Sequence, residues 1–160
     1  MIRSLFPLIL LFVLVVFSCK TPTSSLTDTP SILSSATKEV IISDFYYTLS
    51  ARLWRDFQPI SPPDGKPLIL VVDIIESNSK TIPSSIKVDS LWVINGDQIW
   101  SGLLSTEDHS TAPLNKRRII IRNGPKWEPG IYVDLVVRLL DRDQNIHWLK
   151  EENLLIKRTE

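Results

Sequence analysis

The sequence predicts an all-β domain, an antiparallel β-sandwich of about seven strands, with a small closed β-barrel as the alternative. Three observations lead to this fold class. From residue 39 onward, short runs rich in β-branched residues alternate with clusters of turn residues. No run in this region has the 3.6-residue apolar period of an amphipathic helix. Several short strands without helices are typical of a sandwich or a barrel.

Two β-branched runs indicate the first two strands, and a proline-rich loop indicates where the second strand ends. Residues 40–42 and 46–54 form two strands, and the four prolines within 56–67 indicate a loop. Residues 68–75 are apolar on both faces apart from Asp73, which indicates a strand in the interior of a sheet. The remaining predicted strands are 86–94, 97–103, 117–122, 131–140 and 146–157.

The dipeptide Asn95-Gly96 between two apolar runs is a strong hairpin signal, because both central residues of such a turn need a positive φ. With these two residues at the centre of the turn, Trp92 is expected opposite Ile99. The basic run 116–118 comes at the start of a later strand. We interpret it as a solvated edge that discourages aggregation between sheets.

The first 18 residues have the pattern of an export signal. Arg3 supplies a positive charge, and the apolar run 5–17 is shorter than the roughly 20 residues that cross a bilayer as a helix. Val16-Phe17-Ser18-Cys19 then precedes polar sequence and includes the only cysteine of the chain. This tetrapeptide resembles a bacterial lipobox, although Phe17 is bulkier than the pattern prefers. The alternatives are an ordinary secretory signal, which leaves Cys19 as a free thiol, and an uncleaved signal anchor.

The resemblance implies a bacterial lipoprotein. Its helical signal peptide would be cleaved between Ser18 and Cys19, and Cys19 would carry a covalent lipid such as palmitate. Lys20 is not the aspartate that retains lipoproteins at the inner membrane in the best-known sorting rule. The implied location is therefore the cell envelope, on the outer membrane, with the leaflet left open.

The chain divides into three regions. Residues 1–18 are the predicted signal peptide. Residues 19–38 are the lipidated cysteine and a tether, since twelve of the nineteen residues from 20 to 38 are Ser, Thr or Pro, a composition typical of disorder. Residues 39–160 are the predicted β-sandwich domain.

The strand number, the tryptophan in the middle of the chain and the long final hairpin resemble an immunoglobulin-like or fibronectin type III-like domain. The resemblance covers roughly residues 40–158 and concerns architecture alone. It implies a domain that binds or scaffolds other molecules, and we expect a protein partner in the envelope or outside the cell.

One local pattern is compatible with a cation. Asp141, Asp143, Asn145 and Glu152 match positions 1, 3, 5 and 12 of a calcium loop. The sixth position, which needs glycine, is Ile146. We therefore interpret 141–145 as a polar hairpin turn and as a weak calcium candidate, and we expect no metal or other cofactor apart from the lipid.

Composition and motifs exclude several classes of function. The chain carries 18 basic and 18 acidic residues, which gives no basic field for nucleic acid. The two histidines, His109 and His147, accompany no nucleophile motif, and the cysteine is committed to lipid. We therefore expect no enzyme. The alternative is a lipoprotein that binds a small ligand or a glycan through Trp100 and Trp148, and a hydrolase with a carboxylate site is less favoured.

Overall fold

The computed structural model describes residues 35–102 and 113–160. Every element in these two ranges is a β-strand, which confirms the all-β prediction. The eight strands are β1 (Glu39–Ile42), β2 (Phe45–Asp56), β3 (Ile69–Glu76), β4 (Lys87–Asn95), β5 (Gln98–Ser101), β6 (Lys116–Ile121), β7 (Tyr132–Leu140) and β8 (Ile146–Thr159).

The strands form one curled sheet in the order β5-β4-β7-β8-β2-β3-β6, with β1 paired to β2. The pairs are antiparallel except β2 and β8, which run parallel where Leu53 lies opposite Ile156. β8 pairs first with β7 and then with β2, so it belongs to both halves of the sandwich. We call β5, β4, β7 and the first part of β8 half A, and the end of β8 with β2, β3, β6 and β1 half B. β5 and β6 are the two edges and are not paired with each other in the described residues, so the sheet is open rather than a closed barrel.

β8 changes partner at an irregularity in its pairing. Asn153 has a φ of 59°, and the register with β7 shifts between Val133 and Leu135. A bulge of this kind bends a strand and increases its twist. The bend allows the two halves to fold over one core.

The core lies between the inner faces of the two halves. It contains the alternate residues of the long strands, as the period of two along a strand requires. Its fully buried members include Tyr47, Leu53, Leu70, Val72, Leu91, Val93, Leu135, Val137, Leu149 and Ile156.

The register of the β4–β5 hairpin differs from the prediction. Asn95 pairs with Gln98, and the turn is therefore centred on Gly96 and Asp97. Trp92 lies opposite Ser101 rather than Ile99, so the predicted pair is wrong by two residues. Gly96 has a φ of 59°, whereas the φ of Asp97 is not positive. That combination fits a type II′ turn, in which only the first central residue needs a positive φ.

The folded domain includes residues that the sequence assigns to the tether. Ala36 is 4% exposed, and Thr37 forms a parallel bridge to Leu149. The Lys150 amide donates a hydrogen bond of 2.8 Å to the Thr37 carbonyl. The predicted signal peptide and Cys19 lie outside the described residues, as does His109. Within the described ranges, no helix has both the length and the apolar character needed to cross a membrane.

The two ends of β2 define the two ends of the sandwich. The end with Tyr47, here called the Tyr47 end, carries the turn at 43–44, the connection 77–86 and the turn 141–145. The opposite end carries the loop 57–68 and the corner 122–131. There the buried Arg55 guanidinium donates hydrogen bonds to the carbonyls of Asp64, Lys66, Lys126 and Trp127.

Candidate functional site

A small cleft of about 60 Å³ opens at the Tyr47 end. It lies between the turn that joins β1 to β2, the connection before β4 and the turn that joins β7 to β8. Buried residues form its floor, whereas Ser43, Arg142 and Asp143 are exposed at its rim. The lining residues are Ile42, Ser43, Phe45, Tyr47, Pro83, Ser85, Ile86, Asp141, Arg142 and Asp143.

Tyr47 is the unusual residue of this lining. Its side chain has 0% exposure, and its hydroxyl has no hydrogen-bond partner among the residues that the structure describes. Burial raises the pKa of Tyr47 to about 12, and the Glu76 carboxylate adds to this effect while Arg117 opposes it. The hydroxyl is therefore protonated at neutral pH and retains one donor and its acceptor lone pairs.

Polar contacts fix the wall of the cleft around Tyr47. The Glu76 carboxylate accepts hydrogen bonds from the Tyr46 amide at 3.4 Å and from the Lys80 amide at 2.6 Å. The Arg117 guanidinium donates to the carbonyls of Ile86 and Pro83, which ties the β3–β4 connection to β6. The wall is therefore held in place by side chains from β3 and β6.

Ring stacking and a cation–π contact hold the side of the cleft that Phe45 and Tyr47 form. The rings of Phe45 and Tyr47 stack with centroids 6.3 Å apart and planes at 17°. The Lys80 ammonium lies 5.1 Å from the centre of the Phe45 ring and donates a hydrogen bond of 3.0 Å to the Asp44 carbonyl. These contacts link the β1–β2 turn to the β3–β4 connection.

The four predicted calcium ligands do not form one site: three of them lie together in the turn 141–145, and Glu152 lies apart from them. The Asp141 carboxylate accepts hydrogen bonds from the Asp143 amide at 2.9 Å, the Asn145 amide at 2.9 Å and the Asn145 side chain at 3.0 Å. The His147 Nε2 atom lies 2.9 Å from Asp141 Oδ2, and this contact, followed by the bonds from Asn145 and Asp143, lowers the pKa of Asp141 to about 2 although burial opposes the shift.

Glu152 lies further along β8 and pairs with Lys150 at 2.9 Å and with Lys38 at 3.3 Å. Its carboxylate is thus engaged away from the turn. In the ranges 35–102 and 113–160, no group of three His, Cys, Asp or Glu side chains is arranged to hold a metal ion.

Trp100 and Trp148, the predicted binding surface, lie on opposite faces of half A. Trp100 packs against the main core, next to Gly124, where a Cβ atom would come within 2.8 Å of the indole. Trp148 lies on the outer face and contacts Trp92, with ring centroids 5.5 Å apart. The structure therefore brings Trp148 together with Trp92 and not with Trp100.

The outer tryptophan pair is covered by an arginine. The Arg138 guanidinium lies 5.7 Å from the centre of each ring and pairs with the Asp89 carboxylate. Cation–π contacts of this kind stabilise the face of the sheet. Both rings are half-buried.

The basic run at the start of β6 is not simply a solvated edge. Arg118 forms two hydrogen bonds to the Asp73 carboxylate on β3, at 2.7 and 2.8 Å. These bonds hold the pKa of Asp73 below its usual value although burial opposes the shift. Arg117 binds backbone carbonyls as described above. The interpretation of the run as a solvated edge is therefore wrong for these two arginines, which tie β6 to the rest of the fold.

Comparison of the chain with protein-family models, with curated proteins and with solved structures gives no match. A function for the candidate site can therefore be inferred from its geometry alone.

Tyr47 was not predicted from the sequence, although a signal was present. In the predicted strand 46–54, Tyr47 shares the alternation phase of Leu49 and Leu53 and therefore points to the core. A hydroxyl in that phase needs a hydrogen-bond partner or a ligand. The cleft beside Tyr47 depends on connections that meet only in the folded chain.

Proposed function

We propose that this chain is a lipid-anchored, non-catalytic binding or scaffolding module of the bacterial cell envelope, and that its Tyr47 end contacts a protein partner. One observation carries this proposal: three separate connections of the sheet meet at the Tyr47 end and form a cleft with exposed residues at its rim. Loops held on a rigid sheet are the usual position of binding surfaces. Lipid on Cys19 would hold the domain at the membrane.

The state of the ionisable groups at the Tyr47 end supports binding over catalysis. General acid–base chemistry needs a group that is free to move a proton at the reacting atoms. Here the Glu76 carboxylate is engaged by backbone amides, and the Asp141 carboxylate is engaged by its own turn and by His147. Both carboxylates therefore act as structural acceptors.

The alternative, a glycan-binding lipoprotein, has one observation in its favour. Trp92 and Trp148 form an aromatic pair on the outer face of half A. A sugar that stacks on a tryptophan needs an open ring face, and Arg138 occupies the space over both rings. Glycan binding would therefore require Arg138 to leave its contact with Asp89, and we favour the Tyr47 end.

Site-specific photo-cross-linking in living cells tests the proposal. A photoreactive residue at Arg142, which is exposed and lines the cleft, is expected to give a discrete adduct with one partner. The matched control is Lys157, which is exposed on the end of β8 and does not line the cleft. The adduct is expected to disappear in the Cys19→Ala background, because the unanchored protein is no longer held beside its partner. Equal adducts from both positions, or none from either, would contradict a partner at the Tyr47 end.

A further inference from the structure

We infer that the domain docks on an anionic lipid surface through the outer face of half B, near the end of β2 away from Tyr47. The docking patch combines two basic, two aromatic and two aliphatic residues, which are Arg52, Lys157, Trp54, Tyr132, Ile69 and Leu155. This inference rests on the membrane attachment in the proposed function and adds a defined orientation of the domain on the lipid.

The strand register makes the docking patch continuous. Trp54 on β2 lies opposite Ile69 on β3 and, on its other side, opposite Lys157 on β8. Leu155 precedes Lys157 by two residues and therefore shares its face of β8. Leu155 in turn lies opposite Tyr132 on β7. The patch thus crosses four neighbouring strands of the sheet.

The docking patch lies outside the core and is accessible to solvent. Leu53 and Ile156, which alternate with patch residues on β2 and β8, are 1% and 0% exposed. By contrast, Tyr132 is 64% and Leu155 is 38% exposed, and Arg52, on the same face of β2 as the patch tryptophan, is exposed as well. Neighbouring apolar side chains that stay exposed are typical of surfaces that contact a protein or a membrane.

The charge of the docking patch favours an anionic surface. Arg52 and Lys157 are both exposed, and none of the six patch residues is acidic. The carboxylates of Asp56 and Asp73 border the patch on the same face, and each is paired with a cation of its own. Asp134, the next outward residue of β7, marks the border with half A. The patch itself therefore carries two positive charges.

The combination of residue types favours lipid over protein. Tryptophan and tyrosine are enriched at the level of lipid headgroups, and basic side chains are attracted to anionic headgroups. The stems of Lys and Arg can lie along apolar surface while their charges reach the headgroups. In protein interfaces, lysine is depleted. Here Lys157 lies directly opposite Trp54, as a lipid interface favours.

The outer face of half A is less suited to this role, because side chains of the same chain cover it. Trp92 and Trp148 pack with Ala36 and Val136, which are 4% and 0% exposed. The Arg138 guanidinium lies over both indole rings. The two outer faces therefore differ, and the face of half B is the one that offers exposed apolar and basic side chains together.

The proposed attachment keeps the domain beside the lipid. The chain from Cys19 to Ser35 extends at most about 50–60 Å. An anchored domain therefore meets the bilayer at high effective concentration, and a weak attraction is sufficient to orient it.

Energy transfer in reconstituted vesicles tests the orientation. The full chain, purified from membranes, carries a genetically encoded fluorescent residue at Ser50, which is exposed on the outer face of half B, or at Gln98, which is exposed on β5 in half A. The vesicles contain a headgroup-labelled acceptor lipid in phosphatidylcholine, or in equal parts of phosphatidylcholine and phosphatidylglycerol. In the anionic vesicles we expect transfer from position 50 to exceed transfer from position 98 by about twofold. Neutral vesicles or raised salt should reduce the difference, because both weaken the attraction.

Two charge variants identify the surface responsible. Arg52→Gln is expected to lower the ratio of docked to undocked domain about fivefold, because it removes one basic side chain from the lipid surface. Lys87→Gln is the matched control, since it removes one exposed positive charge from β4 in half A and changes the net charge equally. An unchanged urea midpoint of each variant shows that it is folded.

The other outcomes overturn the inference in distinguishable ways. Equal transfer from positions 50 and 98, in a chain that floats with the anionic vesicles, would overturn the docking and leave the attachment intact. Equal effects of Arg52→Gln and Lys87→Gln would show that net charge acts rather than the patch. Flotation with neither kind of vesicle would overturn both the docking and the proposed attachment. If position 50 shows no preference in vesicles but a photoreactive residue there gives a discrete protein adduct in cells, the patch binds a protein and the lipid inference fails. A missing adduct at Arg142 would count against the partner at the Tyr47 end and would leave this docking in place.

Discussion

The buried hydroxyl of Tyr47 is expected to lower the stability of the fold relative to a phenylalanine at the same position. Within 35–102 and 113–160 the hydroxyl has no hydrogen-bond partner, and leaving such a buried group unpaired costs about 1–3 kcal/mol. We therefore predict that Tyr47→Phe leaves the free energy of unfolding unchanged or raises it by about 1 kcal/mol. Urea unfolding followed by tryptophan fluorescence measures this, with Tyr46→Phe as the control. A loss of more than about 1 kcal/mol in Tyr47→Phe would indicate that the hydroxyl has a structural partner.

Glu151 predicts an unusual dependence of stability on pH. Glu151 pairs in register with the fully buried Leu135, and its Oε2 atom is buried with no hydrogen-bond partner in the described part of the chain. Burial raises the pKa of Glu151 above the ordinary 4.5, although a hydrogen bond from the Ala51 amide opposes the shift. The folded state thus binds this proton more tightly than the unfolded chain, so its contribution to stability is present below about pH 4.5 and is lost as the pH rises through the raised pKa.

Glu151→Gln removes the charge at this position. We expect it to raise the free energy of unfolding by about 1 kcal/mol at pH 7 and to have little effect at pH 4. The neighbouring Glu152→Gln is the control with the opposite sign, because Lys150 and Lys38 lower the pKa of Glu152. Urea unfolding at several pH values distinguishes the two. An equal gain at both pH values would show that ionisation of Glu151 is not responsible.

At the scale of an element, β6 depends on a nonlocal ion pair. β6 pairs with β3 alone among the described strands, and Arg118 reaches across to Asp73, which is 8% exposed. Arg118→Met leaves that carboxylate without its main partner, and we predict a loss of about 1–2 kcal/mol, less than for a fully buried pair because Arg118 is partly exposed. The double variant Asp73→Val with Arg118→Met should recover most of the loss. Urea unfolding of both variants measures this, and equal destabilisation of both would show that the ion pair is not the cause.

The same strand illustrates the limit of sequence reasoning at this scale. The apolar run with a single Asp73 predicted that β3 lies inside a sheet, which is correct because burial on both faces is a local property of the run. The partner of Asp73 could not be predicted, since it is 45 residues away and depends on the register between β3 and β6. For the same reason the β4–β5 turn was identified but its register was wrong by two residues, a shift that leaves every side chain on its expected face.

At the scale of the whole molecule, the sequence predicted the class of fold and did not predict how the halves join. Alternation and turn residues are local, and they were sufficient for the strands. The passage of β8 from half A to half B depends on a positive φ at Asn153 and on a parallel pairing with β2. No local sequence pattern predicts either feature. The cleft could not be predicted for the same reason, because its three connections meet only after both halves have folded over the core.

At the same scale, the proposed lipid anchor would decide where the domain acts. A buried acyl methylene contributes about 0.8 kcal/mol, and stable membrane attachment takes more than one chain. We therefore predict that Cys19→Ala moves the protein from the membrane fraction to the soluble fraction, whereas the matched variant Ser25→Ala remains at the membrane. Protease treatment of intact and permeabilised cells then reports whether the domain faces outward or inward. If Cys19→Ala sediments with membranes as well as the unaltered chain does, the lipid anchor is wrong and the apolar run 5–17 holds the protein instead. The membrane would then still restrict the partner of the cleft to envelope proteins, but the attachment would no longer depend on residue 19.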